Sequence, residues 1–279
     1  MGAIEDQKAK EAERKAQQEA ERAVIGYVGR AALVLVVGVL GFAAVAQAAT
    51  VSKSDFSARV TAAVKPTKLP QARGAPVTLS IAGSSSRSEA ATTFFRSYAV
   101  RLDRQLTIDT EGLPACSLPI KVLERAMPDY VRDECSRTVI GTGKLAVTLE
   151  LPEQPPNFAR SRMLFLNGRG GKVVMYRYFP RHKVHFENGE VEEVGDIPGG
   201  AFAIGSGRSL AFPSPEASQF PGSKSSFEFR FGRTWRYRGK RHSYLNAVCR
   251  TGTLRNRVTL GLSDGTVSNV SAQRCTKRS

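Results

Sequence analysis

The chain has 279 residues, 41% hydrophobic and 24% charged, with 41 Lys plus Arg against 25 Asp plus Glu and a net charge of +16. Six basic and six acidic residues precede Ala49, so the excess lies on the remainder of the chain, 35 basic groups against 19 acidic ones; such a surface attracts polyanions but says nothing about fold. The four cysteines include no C-x-x-C pair, which excludes a conventional zinc module, and the length after Ala48 is enough to bury a real core.

Residues 1–30 carry Glu and Lys or Arg at helical spacings in an Ala-rich background and read as a charged helix, solvated and without a partner in the simplest case. A start at Val24 or Val28 would instead leave a conventional leader. Residues 31–48 hold no charge and approach bilayer length, so they form either the apolar region of a signal peptide or a transmembrane helix. Arg30 before the run and Ala46-Gln47-Ala48 at its end favour cleavage after Ala48 and an extracellular or cell-envelope location. Without cleavage, the chain is a single-pass membrane protein with an exported C-terminal domain and a cytoplasmic tail, oriented by Arg30.

Residues 49–75 read as a linker or a loosely attached strand. Alternating apolar and polar residues predict strands at 76–83, 104–113 and 143–151. The segment 120–135 is the best helix candidate, with Val122, Ala126 and Tyr130 on one side and an interruption at Pro128. PEQPPN at 152–157 is a strong breaker, dividing a first β-rich domain at 76–151 from a second at 158–279. In the second, hairpins are expected to turn at 167–171, at 187–190, at 238–241 and at Asp264-Gly265, with a further strand region at 201–212 and a bend at Gly232. The fold class is all-β, a β-sandwich of immunoglobulin-like or jelly-roll-like kind in one or two units.

Cys116, Cys135, Cys249 and Cys275 all lie after the hydrophobic segment, and an even number in an exported chain predicts disulfides. Three pairings exist. The sequential one, Cys116 with Cys135 and Cys249 with Cys275, is favoured because each closes a short loop within one supersecondary unit.

The stretches KPTKLP, APVTLSIAG, RLDRQLTIDTEGLPACS, VIGTGKLAVTLELPEQPP, LFLNG and YRGKRHSYLNAVC, with a closing DGT and Cys, resemble a group of exported proteins of high-GC Gram-positive bacteria without an assigned activity. The resemblance covers most of the chain after Val64, and LTIDTEGLPxC is its most specific part. It implies a secreted all-β protein with cysteines at comparable places, and it supplies no catalytic residues.

Candidates for chemistry are few. His182, His185 and Glu187 do not converge on a straight strand, so no metal site is expected, and no cofactor. Asp109 and Glu111, two apart on one strand face, are the pair an extracellular glycan-acting hydrolase would need, whereas Asp103 beside Arg101 and Arg104 reads as ordinary surface ion pairing. The glycine-rich pieces at 141–144, 170–172 and 199–207 lack the phosphate-loop pattern, and Ser206 lacks the nucleophile-elbow pattern. No catalytic residue is assigned.

The remaining feature is 227–242. Phe227, Phe229, Phe231, Trp235 and Tyr237 share strand parity, with Arg230, Arg236 and Arg238 on the other side and Lys240 and Arg241 at the turn. The simplest reading makes the aromatics core and the arginines the wet face. The functional reading makes Arg230, Arg236, Arg238, Lys240 and Arg241 an anion-binding surface for envelope polymers or lipid headgroups, with nucleic acid not expected in an exported protein.

Overall fold

Residues 48–149, 157–185, 191–213 and 222–278 are described by the computed structural model, and their regular structure is almost entirely β. In chain order the strands are β1 (Ala49–Ser52), β2 (Phe56–Lys65), β3 (Lys68–Pro70), β4 (Ala75–Pro76), β5 (Thr78–Arg87), β6 (Phe95–Arg101), β7 (Leu106–Ile108), β8 (Val139–Leu149), β9 (Asn157–Asn167), β10 (Lys172–Phe179), β11 (His182–His185), β12 (Val191–Val194), β13 (Ile197–Ser206), β14 (Ser209–Pro213), β15 (Ser223–Phe231), β16 (Thr234–Tyr237), β17 (Lys240–Ser243), β18 (Leu245–Ala247), β19 (Thr253–Leu262), β20 (Gly265–Arg274) and β21 (Thr276–Arg278). Two short helices, α1 (Ile120–Leu123) and α2 (Pro128–Cys135), stand between β7 and β8.

Twelve strands join in one antiparallel sheet, in the order β1-β2-β5-β15-β8-β9-β10-β13-β14-β6-β19-β20, so the all-β expectation holds. The sheet nearly closes on itself. Near its two ends, Ser271 and Gln273 of β20 and Asn256 of β19 reach across to the backbone of β2.

The expected division into domains at 76–151 and 158–279 does not match this topology. β15 lies between β5 and β8, with Phe227–Phe231 paired to both, so the two stretches share one sheet within one compact unit. The breaker at 152–157 separates β8 from β9, which are sheet neighbours. It ends a strand and does not end a domain.

Residues 49–75 are not a linker. β2 alternates with Phe56, Ala58, Val60, Ala62 and Val64 buried, pairing with β1 on one edge and β5 on the other. The alternation leaves only a weak trace in the sequence because two of its inward residues are alanines, which carry little hydrophobic signal.

The main core lies between the inward faces of the sheet. Its centre is aromatic: the Tyr98 ring stacks on Phe227 at 4.6 Å, Phe165 meets Phe231 at 4.4 Å, and Phe212 and Phe229 complete the cluster. Burying each such ring contributes about 2–3 kcal/mol from removed apolar surface alone. A second cluster covers the outer face of β9, β10 and β13, where Leu123, Val131 and Cys135 pack on Leu166, Val174 and Tyr176. Of the side expected to be buried, Val122 and Tyr130 are exposed, while Ala126 is half-buried against this cluster. Pro128 starts α2 at its first position, where a missing N–H costs nothing, and so separates two helices.

Both disulfides have the sequential pairing, Cys116 with Cys135 and Cys249 with Cys275. The charged segment 1–30 and the apolar segment 31–47 lie outside the described residues. Among those described, no helix is long and apolar enough to cross a membrane.

Candidate functional site

β15 delivers Phe227, Phe229 and Phe231 to the core, all 6% exposed or less. The chain then bends at Gly232, whose φ of 153° brings its Cα against the Val77 carbonyl and Thr78. The bend breaks the parity expected from sequence: Trp235 and Tyr237 do not continue the aromatic face of β15 but belong to the separate hairpin β16–β17. Of the five aromatics, three are buried in the core, Trp235 is half-buried against its edge, and Tyr237 is half-buried over Gly112.

The hairpin packs on the turn after β7. There Asp109 and Glu111 do not share a strand face as expected, because β7 ends at Ile108 and Asp109 caps the turn, its Oδ1 accepting the Glu111 N–H at 2.8 Å. Gly112 continues with φ of 69°, and its Cα lies under the Tyr237 ring, leaving no room for a Cβ. Trp235 Nε1 donates to the Glu111 carbonyl at 2.9 Å. His242 Nδ1 hydrogen-bonds Asp109 Oδ2 at 2.9 Å, while its ring stacks on Trp235 at 5.7 Å and meets the edge of Tyr237 at 6.1 Å.

The two surfaces that suggest different functions in the sequence, the acidic pair and the aromatic–basic hairpin, are therefore one place in the fold. His242 joins them. Its partner lies 133 residues away, and no local spacing marks a contact that only the tertiary fold creates. Side-chain ligand atoms of Asp109, Glu111 and His242 all fall within 4.8 Å of one another. Each Asp109 oxygen has one hydrogen-bond partner, the Glu111 N–H at Oδ1 and the His242 ring at Oδ2.

The predicted anion-binding residues separate into two groups. Arg230, on β15, is bonded to Glu228 Oε1 at 2.7 and 2.9 Å, and Lys144 pairs with the other oxygen at 3.3 Å. These two cations hold the Glu228 carboxyl below its ordinary range, and Arg230 is neutralised apart from the hairpin. Arg236, Arg238, Lys240 and Arg241 do belong together at the exposed end of β16–β17. Arg236 stands directly opposite Arg241 in the ladder, and the Arg238 guanidinium lies 5.1 Å from the centre of the Tyr237 ring. Among the described residues, none of the four has a carboxylate at ion-pair distance. Arg233, which interrupts the aromatic run, donates to the carbonyls of Ser136 and Val139, and partial burial lowers its pKa.

Other sequence candidates resolve simply. His182 and His185 lie on β11, paired with β12, and Glu187 falls outside the described residues. Gly141 and Gly143 lie inside β8 beneath Phe231 and Phe229 rather than in a loop. Asp103 does not pair with Arg101 or Arg104. Its two oxygens accept the backbone N–H groups of Gln105 at 2.7 Å and Arg255 at 2.6 Å.

No family model and no curated protein matches this chain. Among solved structures, a loop-swap mutant of Necallimastix patriciarum Xyn11A aligns over 71% of this chain and 95% of its own, at 10% identity and a TM-score of 0.13. A likeness at that score carries no argument about fold or function.

Proposed function

We propose that this is an exported binding protein whose basic hairpin holds anionic polymers of the cell envelope, without catalysis. The observation that carries this is the direct cross-strand pairing of Arg236 with Arg241, flanked by Arg238 and Lys240 and, among the described residues, free of carboxylate partners. Like charges placed directly opposite are destabilising, and a polyanion lying across the hairpin relieves that repulsion. The rigid seat on Asp109, Glu111 and Gly112 supports the same reading, because a preorganised surface loses little freedom when it binds. The scaffold is read as sandwich-like, its inward faces meeting over the aromatic cluster. Two disulfides fit an oxidising, extracytoplasmic compartment. Release after Ala48 would place the protein in the medium or wall, and retention of the apolar segment would place the same surface at the membrane, within reach of anionic headgroups.

The test replaces Arg236, Arg238, Lys240 and Arg241 together by Gln and compares retention on an anionic matrix in low salt with that of a variant losing four exposed charges elsewhere. Loss of retention confined to the hairpin variant is expected. Equal retention by the two variants overturns the assignment.

A second reading, a glycan-acting hydrolase, is favoured by one observation: His242 and two carboxylates converge within 4.8 Å. Carboxyl groups about 5 Å apart suit a retaining mechanism. Loss of a measured hydrolytic activity in Asp109→Asn, with the fold intact, would replace the binding proposal by this one.

A further inference from the structure

Where β6 and β19 meet the Thr251 turn, the surface carries a groove of about 490 Å³ whose cationic lining is Arg101, Arg104, Arg255 and Arg257. All four arginines are exposed. Arg101 on β6 stands directly opposite Arg257 on β19, and Arg255 lies two residues further along the same face of β19. This is a second like-charge cross-strand pair, and it is independent of the hairpin residues. The acidic group in the lining is Asp103, whose two oxygens accept backbone N–H groups, and among the described residues no carboxylate lies at ion-pair distance from the four arginines.

The floor is built to hold still. Gln105, 7% exposed, donates to the Thr253 carbonyl at 2.9 Å and accepts the Arg250 N–H at 2.7 Å, which fixes the turn at 250–253. Asn256, fully buried, accepts the Asp103 N–H at 3.1 Å. A neighbouring groove of about 360 Å³ shares Arg104, Gln105 and Thr251 with the first and adds Arg250, so the basic lining continues beyond one anion's width.

We propose that this groove binds phosphate groups of a phosphodiester or polyphosphate chain. The cations here are all arginines, whose planar forks match phosphate oxygens two at a time, which a lysine ammonium does not do. Their spread over two strands and two adjoining grooves suits a chain of phosphates better than a single ion.

The experiment measures binding of a labelled linear polyphosphate to the full-length chain, with inorganic phosphate and a polyglutamate of matched charge as competitors. Arg101→Gln combined with Arg257→Gln is expected to weaken binding at least tenfold. It should also flatten the dependence of log affinity on log salt by roughly one to two, since each lost phosphate contact removes about 0.7 to 0.9 from that slope. Arg59→Gln with Arg137→Gln, which removes two exposed charges elsewhere, is expected to stay within twofold. Arg101→Lys with Arg257→Lys keeps charge and fold but removes the fork, and is expected to lose at least threefold. Equal losses in the two Gln pairs, or no loss in the Lys pair, overturn the site. Polyglutamate competing as well as polyphosphate overturns the phosphate chemistry, and inorganic phosphate displacing the probe at equal phosphate concentration overturns the polymer. The hairpin residues are untouched throughout, so the outcome is separable from that of the hairpin's proposed function.

Discussion

The side-chain amide of Gln273 stands in for a neighbouring strand at Val64: its Oε1 accepts the Val64 N–H at 2.7 Å, and its Nε2 donates to the Val64 carbonyl at 2.7 Å. Among the described residues, β1 pairs with β2 only as far as Val60, and no strand is paired to that edge of β2 beyond this point. Ser271 fills the next place, donating to the Ala62 carbonyl at 3.2 Å. All three groups are buried, and a buried backbone group left unpaired costs about 1–3 kcal/mol. Gln273→Met, which keeps the volume and removes both bonds, is therefore expected to destabilise by about 3 kcal/mol in denaturant unfolding with an unchanged slope. Hydrogen exchange at Val64 should accelerate in the same variant. A loss under about 1 kcal/mol would mean that water replaces the amide.

Gly112 seats the hairpin. Its φ of 69° and the Tyr237 ring against its Cα both oppose any side chain. Gly112→Ala is expected to cost about 1–2 kcal/mol for the backbone conformation and further stability for displacing Tyr237. Trp235 is the one tryptophan of the chain, so its fluorescence reports on this contact without interference. Its emission should shift to the red as the indole leaves the Glu111 carbonyl and the His242 ring. Unchanged emission would show that the hairpin is held by other contacts.

Features that a short window contains are legible in the sequence. The hairpins near Asp264-Gly265 and Arg238–Arg241, the bend at Gly232 and the sequential disulfides all depend on residues close in the chain, and each is present, although the turns themselves are tighter than expected, Ser263-Asp264 and Arg238-Gly239, with Gly265, Lys240 and Arg241 already in strands. The sheet order is not legible, because placing β15 between β5 and β8 joins stretches far apart in sequence and leaves no periodic trace. The candidate site is half legible for the same reason. Its aromatic and basic residues form one local run and its carboxylates another, but the Asp109–His242 bond that unites them exists only once the hairpin is folded back. The ion pair expected at Asp103 is not formed; its two oxygens accept the backbone N–H groups of Gln105 and Arg255 instead, the second of them from a strand far away in sequence.

Alkali should unfold the protein by a definite route. Burial pushes the phenols of Tyr244 and Tyr176 up to about 12, and that of Tyr98 well above its ordinary value. The unfolded chain releases these protons near pH 10, and the folded chain holds them to higher pH. Their contribution is therefore fully present below pH 10 and is lost as pH rises towards 12, at about 1.4 kcal/mol per pH unit for each group. Denaturant midpoints measured between pH 9 and 12 should fall with that slope, and Tyr244→Phe should reduce it. A midpoint constant through pH 11 would contradict the burial of these phenols.

The two disulfides hold different things, and their removal should be distinguishable. Each closes a loop, of separation 19 for Cys116–Cys135 and 26 for Cys249–Cys275, and each is expected to contribute roughly 3 kcal/mol. Cys116–Cys135 fastens α2 over the outer face of β9 and β10, and neither cysteine lines the arginine groove. Cys249–Cys275 flanks the turn at 250–253: the Cys275 N–H donates to the Gly252 carbonyl at 3.0 Å, and β21 continues from it to pair with β3. That turn carries Thr251 and Thr253 into the groove. Cys249→Ser with Cys275→Ser should therefore weaken polyphosphate binding under conditions where the chain remains folded, because the groove loses its rigid floor. Cys116→Ser with Cys135→Ser should lower stability by a similar amount and leave binding as it was. Parallel measurement of unfolding midpoints and affinities in the two variants decides this, and equal loss of binding in both would show that the groove responds to global stability rather than to the turn.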